Sequence, residues 1–311
     1  MKILITGVCG FVGTNLVRAL SPNHTIYGLD LILEDRPGVE KIYSWEDLEH
    51  GLIPDVDAIV HLAGKAHDTK NSALADVYFA VNTKLTQKMY DYFLASSARK
   101  FLFFSSAKAA ADRVDGILTE DVIPAPVGPY GESKIRAEAY IMSNLQQGKD
   151  VYILRPCMIH GPGNKGNLNL LYSVVSKGIP WPLGSFDNLR TSTSVDNVAF
   201  VVSNLLTRDI PTGIYNMGDD EPLSTNELVE IICSSLGKKA RIWRRPKGMM
   251  VAAAKVGGWL HLPLNPERLR KLTETYVSSN AKLKAALGIT QMPVRSRDGM
   301  KKTMDYFAAE R

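Results

Sequence analysis

A chain of 311 residues, 45% hydrophobic and 22% charged, is long enough to bury a large core and argues for one big α/β body with a smaller partner. Its net charge of +5 and pI of about 8.9 suit an anionic small-molecule substrate, and no basic stripe interleaved with aromatics asks for nucleic acid. Cys9, Cys157 and Cys233 have neither metal-ligand nor redox-pair spacing, so no metal, inert thiols and a reducing, cytoplasmic location are expected.

The chain opens on Ile3, Leu4 and Ile5, an apolar run that reads as a buried parallel strand. Gly7, Gly10 and Gly13 follow, and then a helix that puts Leu16, Val17 and Leu20 on one side. Strand, glycine turn and helix make a phosphate-binding crossover. The first glycine permits the turn, the second lets backbone approach a pyrophosphate, and the third lets helix pack on strand. The helix N-terminus adds free N–H groups. Phe11 and Val12 lie in this turn and count among the expected cofactor contacts. The spacing is G-x-x-G-x-x-G rather than the commoner G-x-G-x-x-G. A second strand over 25–31 carries Asp30 at its C-terminal end, where its carboxylate can accept both hydroxyls of an adenosine ribose and would repel a 2′-phosphate. NAD is therefore expected over NADP.

Asp57–Gly64 reads as a strand ending in Leu62, Ala63 and Gly64, a turn that lets backbone approach the cofactor. His61 is expected to be a hydrogen-bonded strand-end histidine. A helix over 76–94 carries Asn82, a polar residue that needs a partner inside and is assigned to the cofactor side. Lys100–Ser106 is a strand ending in Ser105 and Ser106, and ligands bind at such strand ends in doubly wound sheets. A proline-rich loop then delivers Tyr130 to a helix over 130–145. Tyr130 and Lys134 share one face of it, so the ammonium can stabilise a phenolate whose ordinary pKa is about 10. A strand over 150–155 stops at Pro156, and the domain boundary is placed near Cys157.

Further helices are expected over 167–177, 195–206, 221–236, 272–287 and 297–309, the third of them started by Ser224 and Glu227. The apolar stretch Met249–Leu264 is interrupted by Lys255, Gly257, Gly258, His261 and Pro263, so it cannot span a bilayer. It should pack as a helix of the second domain, with a loose membrane contact left open. The basic cluster from Lys238 to Lys247 reads as a solvated face. The fold expected is α/β: a doubly wound parallel Rossmann sheet over 1–156, with 191–207 returning to it, and a smaller mixed α/β substrate domain over 157–311.

TGVCGFVG, HLAG, FFSSAK, YGESK and LRP…GPG, with RTSTSVDNVA, GIYNMGDDEPLSTNELV and SSNAKLKAALG after them, resemble the extended short-chain dehydrogenase/reductase family. This is the family of nucleotide-sugar epimerases, dehydratases and ketoreductases, and the resemblance runs over nearly the whole chain. It implies an enzyme that retains NAD or consumes NAD(P)H, with NAD expected first, acting on a sugar linked to a nucleoside diphosphate, UDP first among them. It implies Tyr130 as base, Lys134 as its partner and Ser106 as donor to the substrate oxygen. Gly7, Gly10 and Gly13 would hold the pyrophosphate and Asp30 the ribose. Arg190 would grip the substrate diphosphate with its fork, Asn167 would assist, and Lys108 would meet a sugar substituent. A homodimer through the helices over 76–94 and 130–145 is implied too.

Three departures narrow the reading. Ala107, Lys108 and Ala109 stand where dehydratases carry an acidic pair, which disfavours 4,6-dehydration. Met158 replaces an asparagine found in UDP-galactose 4-epimerases, and the segment around Tyr43–Trp45 lacks an aspartate for the adenine edge. A 4-epimerase of a UDP-hexose or UDP-N-acetylhexosamine, which keeps its NAD, stands first. A 4-ketoreductase of a nucleotide-linked 4-keto-6-deoxy sugar is the alternative. A non-catalytic cofactor-binding relative is third, and Tyr130, Lys134 and Ser106 argue against it.

Overall fold

The computed structural model describes residues 1–65, 74–164, 166–260 and 264–310. In chain order its strands begin with β1 (Lys2–Thr6), β2 (Thr25–Leu29), β3 (Lys41–Tyr43), β4 (Ala58–His61) and β5 (Lys100–Phe104). They continue with β6 (Ile117–Leu118), β7 (Asp150–Pro156), β8 (Met158–His160), β9 (Ser192–Ser194), β10 (Gly213–Met217) and β11 (Val277–Ser278). Seven of them form one sheet in the order β10-β7-β5-β4-β1-β2-β3, with every pairing parallel.

The apolar runs KILIT and KFLFF have this form because their strands are covered on both faces. Ile3 and Ile5 meet one layer of helices, Phe11–Leu20, Val195–Thr207 and Ala281–Leu287. Leu4, Phe101 and Phe103 meet the other, Leu85–Ala95 and Pro129–Ser143. β1 lies between β2 and β4, so the crossovers leave it in opposite directions. The crevice at the C-terminal ends of β1 and β4 is the switch point at which such sheets bind ligands.

Residues beyond 156 also enter this body, because β10 pairs with β7 and Leu283, Leu287 and Met292 join the same core. A second core gathers Leu171, Trp181, Leu228, Ile232, Met304 and Phe307 from the helices Asn167–Ser176, Thr225–Ser235 and Ser296–Ala309 and the segment around Trp181. The helix start read at Ser224 is a reciprocal cap: Glu227 N–H donates to Ser224 Oγ at 3.1 Å, and Ser224 N–H donates to Glu227 Oε2 at 2.8 Å.

Three elements differ from the sequence reading. The helix expected over 272–287 is two helices, Pro266–Thr273 and Ala281–Leu287, separated by β11. The intervening Thr-Tyr-Val-Ser-Ser run favours strand, and its hydroxyls compete with helical hydrogen bonds. The helix over 75–95 contains a π-helical segment, Phe79–Lys84, which includes Asn82. Met249–Leu264 does give a helix, Lys247–Trp259, but only Met250, Ala254 and Gly257 of it are buried. Among the described residues no helix is long and apolar enough to cross a membrane.

Candidate active site

The glycine turn is closed by backbone contacts that exclude side chains. Gly7 sits at φ +70°, and its N–H donates to Leu29 O at 2.8 Å. Gly10 N–H donates to Gly7 O at 3.0 Å. A Cβ on Gly13 would lie 2.5 Å from Gly7 O, and one on Gly7 would lie 2.9 Å from Ala63 N. The third glycine is therefore what lets the helix start against the turn. Asp30 braces the same turn from the end of β2: its carboxylate accepts from Cys9 N–H at 2.8 Å and from Leu31 N–H at 2.7 Å. A carboxylate has further lone pairs, so it can still receive ribose hydroxyls. Val12 and Leu62 pack against the sheet core. Phe11 lies beside the loop that holds Gly161 and Gly163, where an added Cβ would stand 3.6 and 3.9 Å from its ring.

The turn after β4 joins this corner to the Tyr–Lys helix. A Cβ on Gly64 would lie 2.9 Å from Asn82 Oδ1 and 3.2 Å from Lys134 Nζ. Asn82 is fully buried and finds the partners it requires. Its Oδ1 accepts from Lys65 N–H at 2.8 Å, and its Nδ2 donates to Ser133 Oγ at 3.0 Å. The π-helical segment is where this side chain ties the turn to the helix over 129–143, consistent with the tendency of such bulges to mark functional places. His61 is spoken for, as expected: Nδ1 pairs with Thr6 Oγ1 at 2.7 Å and Nε2 with Thr86 Oγ1 at 3.0 Å. Burial holds its pKa down at about 3, so the ring stays neutral.

Lys134 Nζ donates to Phe104 O at 2.8 Å and lies 4.8 Å above the Phe103 ring. Burial lowers its pKa to about 8, against the opposing pull of Glu138. Tyr130 packs edge-on to Tyr78, with ring centroids 6.1 Å apart. Burial pushes its phenol above the ordinary value, and a hydrogen bond with Ser106 works in the other direction. Ser106 caps the helix Ala107–Ala110, accepting from Lys108 N–H at 3.2 Å. Ser106, Tyr130, Lys134 and Gly64 are thus brought to one corner beside the glycine turn.

Beneath them is a network the motifs did not disclose. Arg155 Nη2 donates to Glu138 Oε2 at 2.6 Å, Arg155 Nε donates to Glu138 Oε1 at 3.0 Å, and Ser105 Oγ donates to the same carboxylate. The ion pair is almost completely buried, with side chains 2 and 1% exposed. Two signals pointed to it: Glu138 lies one turn beyond Lys134, and Arg155 is a charge within an apolar strand that must be paired.

Arg190 and Lys108 belong to a neighbouring group. Arg190 bridges Leu223 and Tyr276 through its backbone, and its Nε donates to Glu274 O at 3.0 Å. Burial lowers its pKa, with Glu274 opposing. Lys108 Nζ lies 4.7 Å above the Tyr276 ring and 3.3 Å from Asp112 Oδ1. Tyr276 therefore links the two cations. The side chain of Asn167 lies outside the described residues. Among the described residues no cluster of three or more metal-ligating side chains occurs.

A family model, the NAD dependent epimerase/dehydratase family, matches residues 3–218. A UDP-glucose 4-epimerase of Vibrio cholerae is 32% identical over 268 residues, covering 79% of this chain and 78% of that protein. Among solved structures, MoeE5 in complex with UDP-glucuronic acid and NAD superposes with a TM-score of 0.78 at 19% identity, each chain covered completely. The UDP-N-acetylglucosamine 4-epimerase from Bacillus cereus superposes with a TM-score of 0.78 at 20% identity, with 98% of each chain covered. At those identities the structural likeness speaks for the fold.

Proposed function

Starting from the chain's membership of the NAD dependent epimerase/dehydratase family, we propose that it is a nucleotide-sugar 4-epimerase acting on a UDP-hexose or UDP-N-acetylhexosamine. The observation that carries this reading is the corner where Ser106 is hydrogen-bonded with Tyr130, one helical turn from Lys134 and beside the glycine turn. The enzyme is NAD-dependent, and the closed turn of Gly7, Gly10 and Gly13 with Asp30 beside it fits that cofactor. The turn after β4, with Gly64 and Asn82, would form its nicotinamide side. Bound NAD supplies the hydride acceptor for carbon 4 of the sugar.

Tyr130 takes the proton of the sugar 4-hydroxyl and returns it when the other epimer forms. Its phenol is raised by burial, and the hydroxyl of Ser106 opposes that rise; Lys134, one turn along the same helix, supplies the positive charge that a phenolate would need. With a pKa of about 8, Lys134 remains mostly cationic at neutral pH, anchored by Phe104 O rather than swinging free. Ser106 orients the substrate oxygen. Arg190, steered by Glu274 O, holds the diphosphate, and residues 157–311 outside β10 and its packing helices form most of the sugar-nucleotide domain. The helices over 75–95 and 129–143 form a homodimer contact, for which light scattering should give twice the chain mass.

The test is the small-molecule content of the protein released on denaturation, measured by mass spectrometry, together with product analysis on UDP-hexoses and UDP-N-acetylhexosamines. Near-stoichiometric NAD and interconversion of C4 epimers without added cofactor are expected. Exchangeable cofactor, with one NADH or NADPH consumed for each nucleotide-linked 4-keto sugar reduced, would replace this reading with the ketoreductase.

A further inference from the structure

The helix Lys247–Trp259 inverts the pattern of a helix docked on a globular body. Such a helix buries an apolar stripe and turns polar residues outward. Here the buried stripe is narrow, only Met250, Ala254 and Gly257. The outward half carries Met249, Ala252, Val256 and Trp259, at spacings that share one face, and Leu260 follows. Trp259 is 80% exposed, and Met249, Val256 and Leu260 are 48, 54 and 51% exposed. Lys255 is the one charged residue of this helix after Lys247.

The segment that carries the helix is strongly basic. Residues 231–273 hold ten lysines and arginines against one acidic residue, Glu267, which is paired with Lys271 at 2.7 Å. That segment is net +9 in a chain whose total is +5, so the rest of the molecule is net negative. Arg244, Arg245, Lys247 and Lys255 are exposed, and the helix Pro266–Thr273 packed beside them adds Arg268 and Arg270. Arg245 stacks 5.1 Å above the Trp243 ring, itself about half exposed.

We propose that this face seats the protein on the surface of an anionic phospholipid bilayer. The helix lies in the interface, with Met249, Val256, Trp259 and Leu260 entering the headgroup and upper acyl region. Trp259 sits at the level where indole rings are favoured, and Arg244, Arg245, Lys247 and Lys255 reach the lipid phosphates while their stems cover apolar surface. At 13 residues, with Lys255 inside it, the helix cannot cross the bilayer, so the contact is peripheral and sensitive to salt.

The full-length protein should co-sediment with phosphatidylglycerol-containing vesicles and much less with pure phosphatidylcholine, and binding should fall as salt is raised. Met249→Ser with Val256→Ser and Trp259→Ser should weaken binding by about tenfold or more. Arg244→Gln and Arg245→Gln should each weaken it about fivefold. All these positions are exposed, so thermal midpoint and epimerase turnover on soluble substrate should stay at wild-type values. Absence of wild-type binding to anionic vesicles overturns the proposal. So does binding that ignores lipid charge and the triple substitution. A wild-type oligomer that the triple variant converts to monomer, with vesicle binding absent in both, would assign the face to a second copy of the chain instead.

Discussion

The corner where Gly7, Gly64 and Lys134 meet and the helix over 247–259 obey opposite packing rules. At the corner an added methyl at Gly7 or Gly13 strikes backbone within 3 Å, and one at Gly64 reaches Asn82 Oδ1. Nearly every polar group nearby has a named partner. On the helix, a Cβ at Gly248 would meet nothing within 4 Å, and Met249, Val256 and Trp259 are exposed while Met250 is buried. The first region is closed on itself by backbone and side-chain contacts. The second is well formed as a helix whose outward face is left uncovered by the described residues. Close packing fixes the side chains of the first region, whereas the outward face of the helix leaves apolar surface exposed.

The contrast can be broken or sharpened by substitution. Tyr130→Phe removes only the acid–base hydroxyl, so kcat should fall by roughly 100- to 10,000-fold while NAD content stays at the wild-type level. Turnover near wild type would remove Tyr130 from its role. Glu138→Gln leaves the Arg155 cation buried without its counter-charge, and unfolding in urea should show a loss of about 3–5 kcal/mol. Joint replacement with Arg155→Met should recover part of that loss, because the uncompensated charge is gone.

A pair of glycine substitutions compares the two regions directly. Gly13→Ala places a methyl against two carbonyl oxygens at 2.5 and 2.6 Å and should cost about 1–3 kcal/mol together with retained NAD. Gly248→Ala, in open helix, should be neutral or stabilising by up to about 1 kcal/mol. Equal effects at the two positions would mean that the two regions are packed alike.

His61 supplies a pH signature of the corner. Its folded pKa, about 3, lies below the unfolded value of 6.5, so below pH 6.5 the unfolded chain binds the proton more readily. Stability should decline by about 1.4 kcal/mol for each pH unit between 6.5 and the folded value, read from urea midpoints. His61→Gln should flatten that part of the profile. The smallest effect belongs to Lys108→Met. Its half-exposed contacts to Asp112 and Tyr276 should be worth less than about 1 kcal/mol, while a rise in KM without change in kcat would locate the ammonium on the substrate.

Most of the sheet and its ligand-binding edge were legible in the sequence because their determinants are local. Ile3 to Gly13 encode strand, turn and helix within a dozen residues, and Tyr130 and Lys134 share a face by helical geometry alone. The break at Val277 was not legible, since β11 exists by pairing with Ile117 and Leu118, far away in the chain. Nor was the pairing of Arg155 with Glu138: the strand announced an unpaired charge, but the partner is named only when the helix docks on it.

The parallel α/β architecture, the glycine turn, the acidic end of the second strand and the Tyr–Lys spacing follow from neighbours in the chain and are readable along it. The approach of Gly64 to Lys134, the pairing of Asn82 with Lys65 and Ser133, and the bond from Arg190 to Glu274 O arise only when distant segments dock. Docking also decides which face of the helix over 247–259 turns outward. Periodicity can assign apolar residues to a helix, but burial depends on what else the chain brings to that side, and here it brings only enough to cover Met250, Ala254 and Gly257.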